Sequence, residues 1–277
     1  MSTEIIKCPY CGSGNFKKWA SERGFDVVRC ECRFLYVNPR PLADLITDAV
    51  KTGVHSEEAG NLNAVTRRIP QKVRRYERLL SEEFRDLREA GRPIYWLDVG
   101  AGFGEVVEAV SQILPKGSTV KGLEPMKPKA DDAKRRGLNV EEDYLRPTHE
   151  KVDLVSSFDV FSHIPDYHDF LRNVRAVLKP GGEVFIQTGN LADVEDRSQF
   201  PDELGLPDHL TFAGESHLKG FLDTAGFDVV SIRKEPLDTA LHSVKSLVKK
   251  AIGRETVVAL PYTSPYRQIF IRGRLRA

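Results

Sequence analysis

The sequence predicts an α/β protein: a parallel sheet covered by helices on both faces, with a small cysteine-bearing module in front of it. Three observations predict it. From Ile94 to Arg233 short apolar runs alternate with stretches of helical periodicity, as βα units do. A glycine-rich turn, Gly100-Ala101-Gly102-Phe103-Gly104, joins the first of these runs to a helix. All four cysteines fall between Cys8 and Cys32.

Composition narrows the class further. The 277 residues suit one large domain with a small appendage. With 41 basic and 40 acidic residues the formal net charge is +1, and 40% of the residues are hydrophobic, which excludes a nucleic-acid-coating protein and an acidic disordered chain alike. The N-terminus has no apolar run behind its charges, and no stretch approaches the ~18 apolar residues of a membrane span. The expected location is cytoplasmic.

The elements follow in order. Residues 1–41 are aromatic-rich and closed off by Asn38-Pro39-Arg40-Pro41, 42–92 read as a linker and N-terminal helices, and 93–277 as the main domain. Over 71–89, Val73, Tyr76, Leu79, Leu80, Phe84 and Leu87 recur at helical spacing, which predicts one amphipathic helix ended by Gly91 and Pro93. Strands are predicted at 94–99, 119–123, 138–140, 152–158, 183–188, 227–233 and 267–271. Helices are predicted at 105–114, about 128–136, 167–178 (stopped by Pro180-Gly181-Gly182) and 215–225 (stopped by Gly226). A helical insertion at about 241–265 carries Val244, Leu247, Val248, Ala251 and Ile252 on one apolar stripe and is expected to pack on the core as a lid. From Leu241 to Ala277 eight Lys or Arg stand against one acid, a local net of +7, so peripheral contact with an anionic surface such as a membrane is the alternative.

Cys8-Pro9-Tyr10-Cys11 and Cys30-Glu31-Cys32 have nearly the spacing of a four-thiolate zinc ribbon, the second pair being one residue shorter than usual. Metal is favoured over disulfides in a reducing compartment. Four thiolates leave no open coordination position, so Cys8, Cys11, Cys30 and Cys32 would hold structural zinc.

The run Ile94 to Val99 into the glycine turn places free amides at a helix start, where a ligand's polar groups approach closely. Glu124 ends the next strand about twenty residues on, where an acid accepts hydrogen bonds from both ribose hydroxyls of a nucleoside. Here the sequence resembles the class I S-adenosylmethionine-dependent methyltransferases. Asp98-Val99-Gly100-Ala101-Gly102-Phe103-Gly104 is similar to that family's first motif. The stretch from Val152 through Phe158-Asp159-Val160-Phe161-Ser162-His163 to Asp166 is similar to its fourth-strand motif, and Leu178-Lys179-Pro180-Gly181-Gly182 to the turn before the fifth strand.

The resemblance, over about 94–234, implies a Rossmann-like seven-stranded sheet of order 3-2-1-4-5-7-6. It implies that Gly100, Gly102 and Gly104 line the methionine part of the cofactor, that Asp98 orients that end, and that Glu124 holds the ribose. Pro125 and Met126 would flank adenine, Asp143 or its competitor Glu142 would receive the adenine amino group, and Phe158 and Asp159 would close the site. Many relatives have Glu-His where this chain has Ser162-His163.

Methyl transfer from a sulfonium is an in-line displacement, so positioning supplies much of the rate and a base is needed only where the acceptor loses a proton. His163 and His209 are the candidates, with Asp208 beside the second. Asp208-His209-Leu210-Thr211-Phe212 resembles the Glu-His-x-x-aromatic stretch of sugar C-methyltransferases, and the segment Phe34 to Pro41 resembles zinc modules fused to sugar- and polysaccharide-pathway methyltransferases. The chain lacks room for the long C-terminal domain of the C-methylating enzymes, which favours an O-methyl acceptor. His217 is expected to be solvated or to cap its helix. Arg67, Arg68, Lys72, Arg74, Arg75 and Arg78 form a solvated face or meet a phosphate-bearing substrate such as a nucleotide sugar.

The expectation is therefore a small-molecule methyltransferase acting on a sugar or glycan hydroxyl. Two alternatives stand: an RNA methyltransferase reading its substrate through the ribbon, disfavoured by the near-neutral charge, and a non-catalytic cofactor-binding partner protein.

Overall fold

The computed structural model describes residues 2–52, 67–200, 203–236 and 265–276, with positions 244, 247, 248, 251 and 252. The insertion at about 241–265 therefore lies almost wholly outside the described residues. Of its apolar stripe, Val244, Leu247, Val248 and Ile252 are exposed, where packing as a lid would have buried them.

The N-terminal part contains β1 (Thr3–Glu4), β2 (Phe16–Glu22), β3 (Phe25–Cys30), β4 (Leu35–Val37), β5 (Arg40–Pro41) and α1 (Ala43–Thr52). Then come α2 (Pro70–Glu83), α3 (Arg85–Glu89), β6 (Tyr95–Val99), α4 (Glu105–Ile113), β7 (Thr119–Leu123), α5 (Lys127–Arg135), β8 (Val140–Glu141) and β9 (Val152–Phe158). The chain continues through α6 (Tyr167–Val177), β10 (Leu178–Gly189), β11 (Thr211–Phe212), α7 (Glu215–Thr224), β12 (Phe227–Pro236) and β13 (Arg267–Leu275).

Seven strands form one sheet in the order β12-β13-β10-β9-β6-β7-β8, which is the 3-2-1-4-5-7-6 order read from its other edge. The sheet is mixed: β13 runs antiparallel to both neighbours, a pairing that needs no crossover helix. Its central strands are buried on both faces, as their unbroken apolar runs require.

Two boundaries differ from the sequence reading for identifiable reasons. The helix expected over 71–89 breaks at Phe84, whose ring packs 4.8 Å from Trp96 and 5.2 Å from Phe185. Arg272 receives the freed end there, donating to the Glu83 carbonyl at 2.9 Å and pairing with Asp86 at 2.8 Å and buried Glu183 at 2.7 Å. The helix α6 ends at Val177, before Pro180-Gly181-Gly182; Leu178 already pairs with Val152, and the register shift before Glu183 absorbs the proline and glycines.

The cysteine module packs into the rest of the chain. Cys8, Cys30, Phe34 and Tyr36 share one apolar cluster with Tyr167, Leu218 and Phe221 of the main body. β11, from the segment after β10, adds to β4 antiparallel and completes a four-stranded sheet, β11-β4-β3-β2.

Candidate functional site

A cavity of ≈ 760 Å³ opens at the carboxyl edge of β6, β7 and β9, where open α/β sheets bind ligands. Asp98, Gly100, Gly102, Glu124, Pro125, Met126, Asp143, Phe158, Asp159, His163, Asp208 and His209 all line it. Glu142 does not; it pairs with Lys127 at 3.6 Å.

The glycine turn is built for backbone approach. Gly102, at φ 56°, has nothing within 4 Å of where a Cβ would stand, so that space belongs to the cavity. Gly104 stands apart from the cavity: a Cβ there would lie 2.6 Å from Leu138 Cδ1, so its glycine serves the packing of α4 on the segment before β8, and not the ligand contact expected of it.

Two carboxylates face the turn. Glu124 accepts from Gly102 N–H at 2.7 Å and from Met126 N–H at 2.9 Å, which fixes both oxygens and leaves each a lone pair for ligand hydroxyls. Asp98 is buried and accepts from Ser156 Oγ at 2.5 Å, whose hydroxyl in turn accepts from Trp96 Nε1 at 2.8 Å. Burial, opposed by that hydrogen bond and assisted by Glu124 and Glu105, pushes Asp98 up to about 7. A cationic group beside it would hold it ionised. The turn amides of Gly100, Ala101 and Gly102 are spent within the fold, on the Leu123 carbonyl and Glu124, so the side chains fit a nucleoside with a cationic amino-acid end: Glu124 for the ribose hydroxyls, a buried carboxyl for the ammonium.

At the other end of the cavity the two histidines meet, their ring centroids 4.7 Å apart. His163 Nδ1 lies 2.9 Å from the Asp208 carbonyl and 3.3 Å from its Oδ1, and His209 Nδ1 lies 2.7 Å from the Leu204 carbonyl. A carbonyl only accepts, so both Nδ1 atoms carry the proton and both Nε2 atoms hold a lone pair. Burial alone would depress His163, but the hydrogen bond and charge of Asp208 outweigh it and raise its pKa above the ordinary value. Burial and the neighbouring His163 push His209 down to about 4. The ligand atoms of His163, Asp208 and His209 all lie within 4.8 Å of one another, a spacing that also suits a cation.

Further residues line the cavity beyond the candidate site residues. Tyr76 and Lys72 of α2 reach the cavity, with Lys72 4.0 Å from Asp159. Phe200, Phe212 and Tyr266 wall its histidine end, and buried Thr211 lines it with its hydroxyl unpartnered. Among these, Lys72 had a sequence signal through the basic run, Tyr76 through the apolar stripe of its helix, and Thr211 and Phe212 through the Asp208 to Phe212 stretch; Phe200 and Tyr266 had none. Half of the basic run around α2 is engaged in ion pairs, Arg68 gripping Glu108 through two nitrogens, Arg75 pairing with Glu235 at 3.1 Å and Lys72 meeting Asp159, while Arg67, Arg74 and Arg78 are exposed.

His217 is buried, contrary to solvation; it caps α7 by accepting from Gly214 N–H at 3.1 Å and donates through Nε2 to the Cys32 carbonyl at 2.9 Å. Both nitrogens are therefore used within the fold, beside the cysteines. The cysteine sulfurs cluster within 4.8 Å of one another, Cys8 to Cys32 at 3.6 Å and Cys11 to Cys30 at 3.5 Å. Tetrahedral Zn–S bonds of about 2.3 Å place sulfurs about 3.8 Å apart, so the donor set fits that ion. Arg33, at φ 72°, closes the short Cys30 to Cys32 turn by donating its N–H to the Cys30 carbonyl at 2.8 Å. Burial pushes the Cys8 thiol up to about 12 and Cys32 higher still.

The chain belongs to the methyltransferase domain family, whose sequence profile matches residues 70–232, more than half of it. It is 34% identical over 106 residues to the ubiquinone biosynthesis O-methyltransferase of Citrobacter koseri and 33% identical to that of Escherichia coli K12. Those matches take in 34% of this chain and 42% of each relative, so the chain spans less than half the length of these curated relatives. Among solved structures, the geranyl diphosphate C-methyltransferase of Streptomyces coelicolor A3(2), in complex with Mg2+, geranyl diphosphate and S-adenosyl-L-homocysteine, superposes with a TM-score of 0.56 at 16% identity, over 73% of this chain and 80% of that one. An O-methyltransferase from a Brevibacillus brevis multienzyme, in complex with S-adenosyl-L-homocysteine, superposes at 0.51 with 14% identity, over 74% and 72%. They share the fold. No helix among the described residues is long and apolar enough to cross a membrane.

Proposed function

We propose that the protein is an S-adenosylmethionine-dependent methyltransferase that transfers its methyl group to a hydroxyl of a small molecule, a sugar or glycan hydroxyl being the acceptor class. The observation that carries this reading is that the His163 and Asp208 pair lines the same cavity as the glycine turn. When bound, S-adenosylmethionine supplies an electrophilic methyl group on its sulfonium. The chain's own residues do the rest. Asp98 holds the amino-acid end, which Gly100 and Gly102 line; Glu124 holds the ribose; Pro125, Met126 and Asp143 flank the adenine; Phe158 and Asp159 close the wall.

His163 takes the acceptor's hydroxyl proton at Nε2 as the carbon–oxygen bond forms and the carbon–sulfur bond breaks. Asp208 keeps its Nδ1 proton in place and stabilises the resulting imidazolium. His209 stays neutral and accepts a hydrogen bond at Nε2, orienting the acceptor. The rings of Phe200, Phe212 and Tyr266 suit the apolar face of a ring-bearing acceptor. They fit a phenol as well as a sugar, and the ubiquinone-pathway relatives make a phenolic hydroxyl the second reading. The deciding assay offers labelled S-adenosylmethionine with nucleotide sugars, glycan fragments, phenols and total RNA in parallel. Label in the sugar or glycan fraction supports the first reading; label in phenol replaces the acceptor; label in RNA, or in nothing, defeats the proposal.

Cys8, Cys11, Cys30 and Cys32 hold structural zinc in this reading, and four free thiols at metal-ligand spacing fit a cytoplasmic protein. The purified protein is expected to contain one zinc per chain by elemental analysis. Cys30→Ser should lose it and lower Tm by about 10 °C or more, since the site sits in the shared core. A wild-type protein free of zinc yet equally stable after chelation would remove the metal.

A further inference from the structure

The loop that carries Asp208 and His209 is held by a residue on the opposite side of the chain. Glu22, the last residue of β2, turns its carboxylate into the segment before the histidine: Oε2 accepts from Leu204 N–H at 2.6 Å, and Oε1 accepts from Gly205 N–H at 2.8 Å and Leu206 N–H at 3.0 Å. Three successive amides converging on one carboxylate form an anion-binding nest, here filled from within the fold. The same turn holds His209 from both sides: the Leu204 carbonyl takes its ring proton at 2.7 Å, and the Gly205 carbonyl takes its backbone N–H at 3.0 Å. Leu204 and Leu206 are buried in a cluster with Val27, Leu35 and Val37 of the cysteine module. Without Glu22 the three amides would lie part-buried without an acceptor, and the turn would be driven to reorient.

We propose that Glu22 is a positioning residue for methyl transfer: by tying down residues 204–206 it fixes the tautomer and place of His209, so that the N-terminal module shapes the acceptor end of the cavity. At the other end of β3, Arg29 ties the module to the segment after β10, donating to the Val194 carbonyl at 2.5 Å and the Glu195 carbonyl at 3.0 Å. The proposal rests on the acceptor-orienting role given to His209, while the contact itself concerns only the fold.

The test compares Glu22→Gln and Glu22→Ala with wild type on three readings. Glu22→Gln keeps one acceptor oxygen but turns an NH2 group toward a backbone N–H, so it loses part of the nest; Glu22→Ala loses all of it. S-adenosylmethionine affinity by calorimetry should be unchanged in both. Acceptor kcat/KM should fall about tenfold in Glu22→Gln and about 10²-fold in Glu22→Ala, the loss that about 1 Å of misplacement brings. In 15N-labelled protein the His209 ring should show its Nδ1–H tautomer in wild type and a mixture of tautomers in Glu22→Ala. That spectrum needs no turnover, so it separates failure of this inference from failure of the methyltransferase reading. Wild-type kcat/KM in Glu22→Ala, an unchanged His209 tautomer, or a loss of cofactor affinity parallel to the loss of activity would overturn it.

Discussion

His163→Gln is expected to bind S-adenosylmethionine as tightly as wild type and to lose about 10²- to 10⁴-fold in turnover, the contribution of a positioned base. The pH profile carries the sharper statement. A base must be neutral to take a proton, so the rate rises with pH through the pKa of His163, which Asp208 holds above the ordinary histidine value. Asp208→Asn removes the charge that opposes burial and leaves only a neutral acceptor oxygen, so the acid limb should move to lower pH while the maximal rate falls. His209→Ala should lose turnover without moving that limb, because His209 already titrates far below it, at about 4. A wild-type rate in His163→Gln, or an acid limb that stays in place in Asp208→Asn, would assign the proton elsewhere. A requirement for a divalent cation, seen as loss of turnover in chelator and recovery on adding the ion back, would make the same three side chains its ligands instead.

The second large effect belongs to Gly102. Its φ of 56° and the empty space beyond it mean that Gly102→Val leaves the packed interior untouched and pushes two methyl groups into the cavity. The folded state pays about 1–2 kcal/mol for a side chain in that backbone region, a fall of a few degrees in Tm. Cofactor affinity should fall by at least about 10²-fold in a calorimetric titration. Gly102→Ala, with the same backbone strain and a smaller intrusion, separates the two contributions. Retained affinity in Gly102→Val would place the cofactor elsewhere.

The cofactor end of this site is legible in sequence because its signals are local. Asp98, the glycines and Glu124 lie on or just after two adjacent parallel strands, and the spacing of one βα unit sets where each falls. Sheet order followed from the same motifs. The acceptor end is built from segments distant in sequence, and there the reading stopped short. Nothing in the hydropathy of 71–89 marks Phe84 as a break, because the cause is Arg272 arriving from the last strand. Nothing local to His217 says that the Cys32 carbonyl waits for its ring. The engagement of Glu22 with residues 204–206 is of the same kind, and so is the role of Phe200 and Tyr266 as walls.

The pairing of β4 with β11 has a bearing on how the molecule comes into being. The glycine turn, Glu124 and the strands behind them lie within one stretch of chain and can assemble through near-neighbour contacts. The histidine end closes only when contacts such as Glu22 with Gly205, 183 residues apart, have formed. On a ribosome adding residues one at a time, the first thirty-seven residues wait through most of synthesis for their partner strand, and long-range β pairing of this sort is slow. The acceptor end therefore depends on long-range contacts of the chain, and the cofactor end on shorter ones.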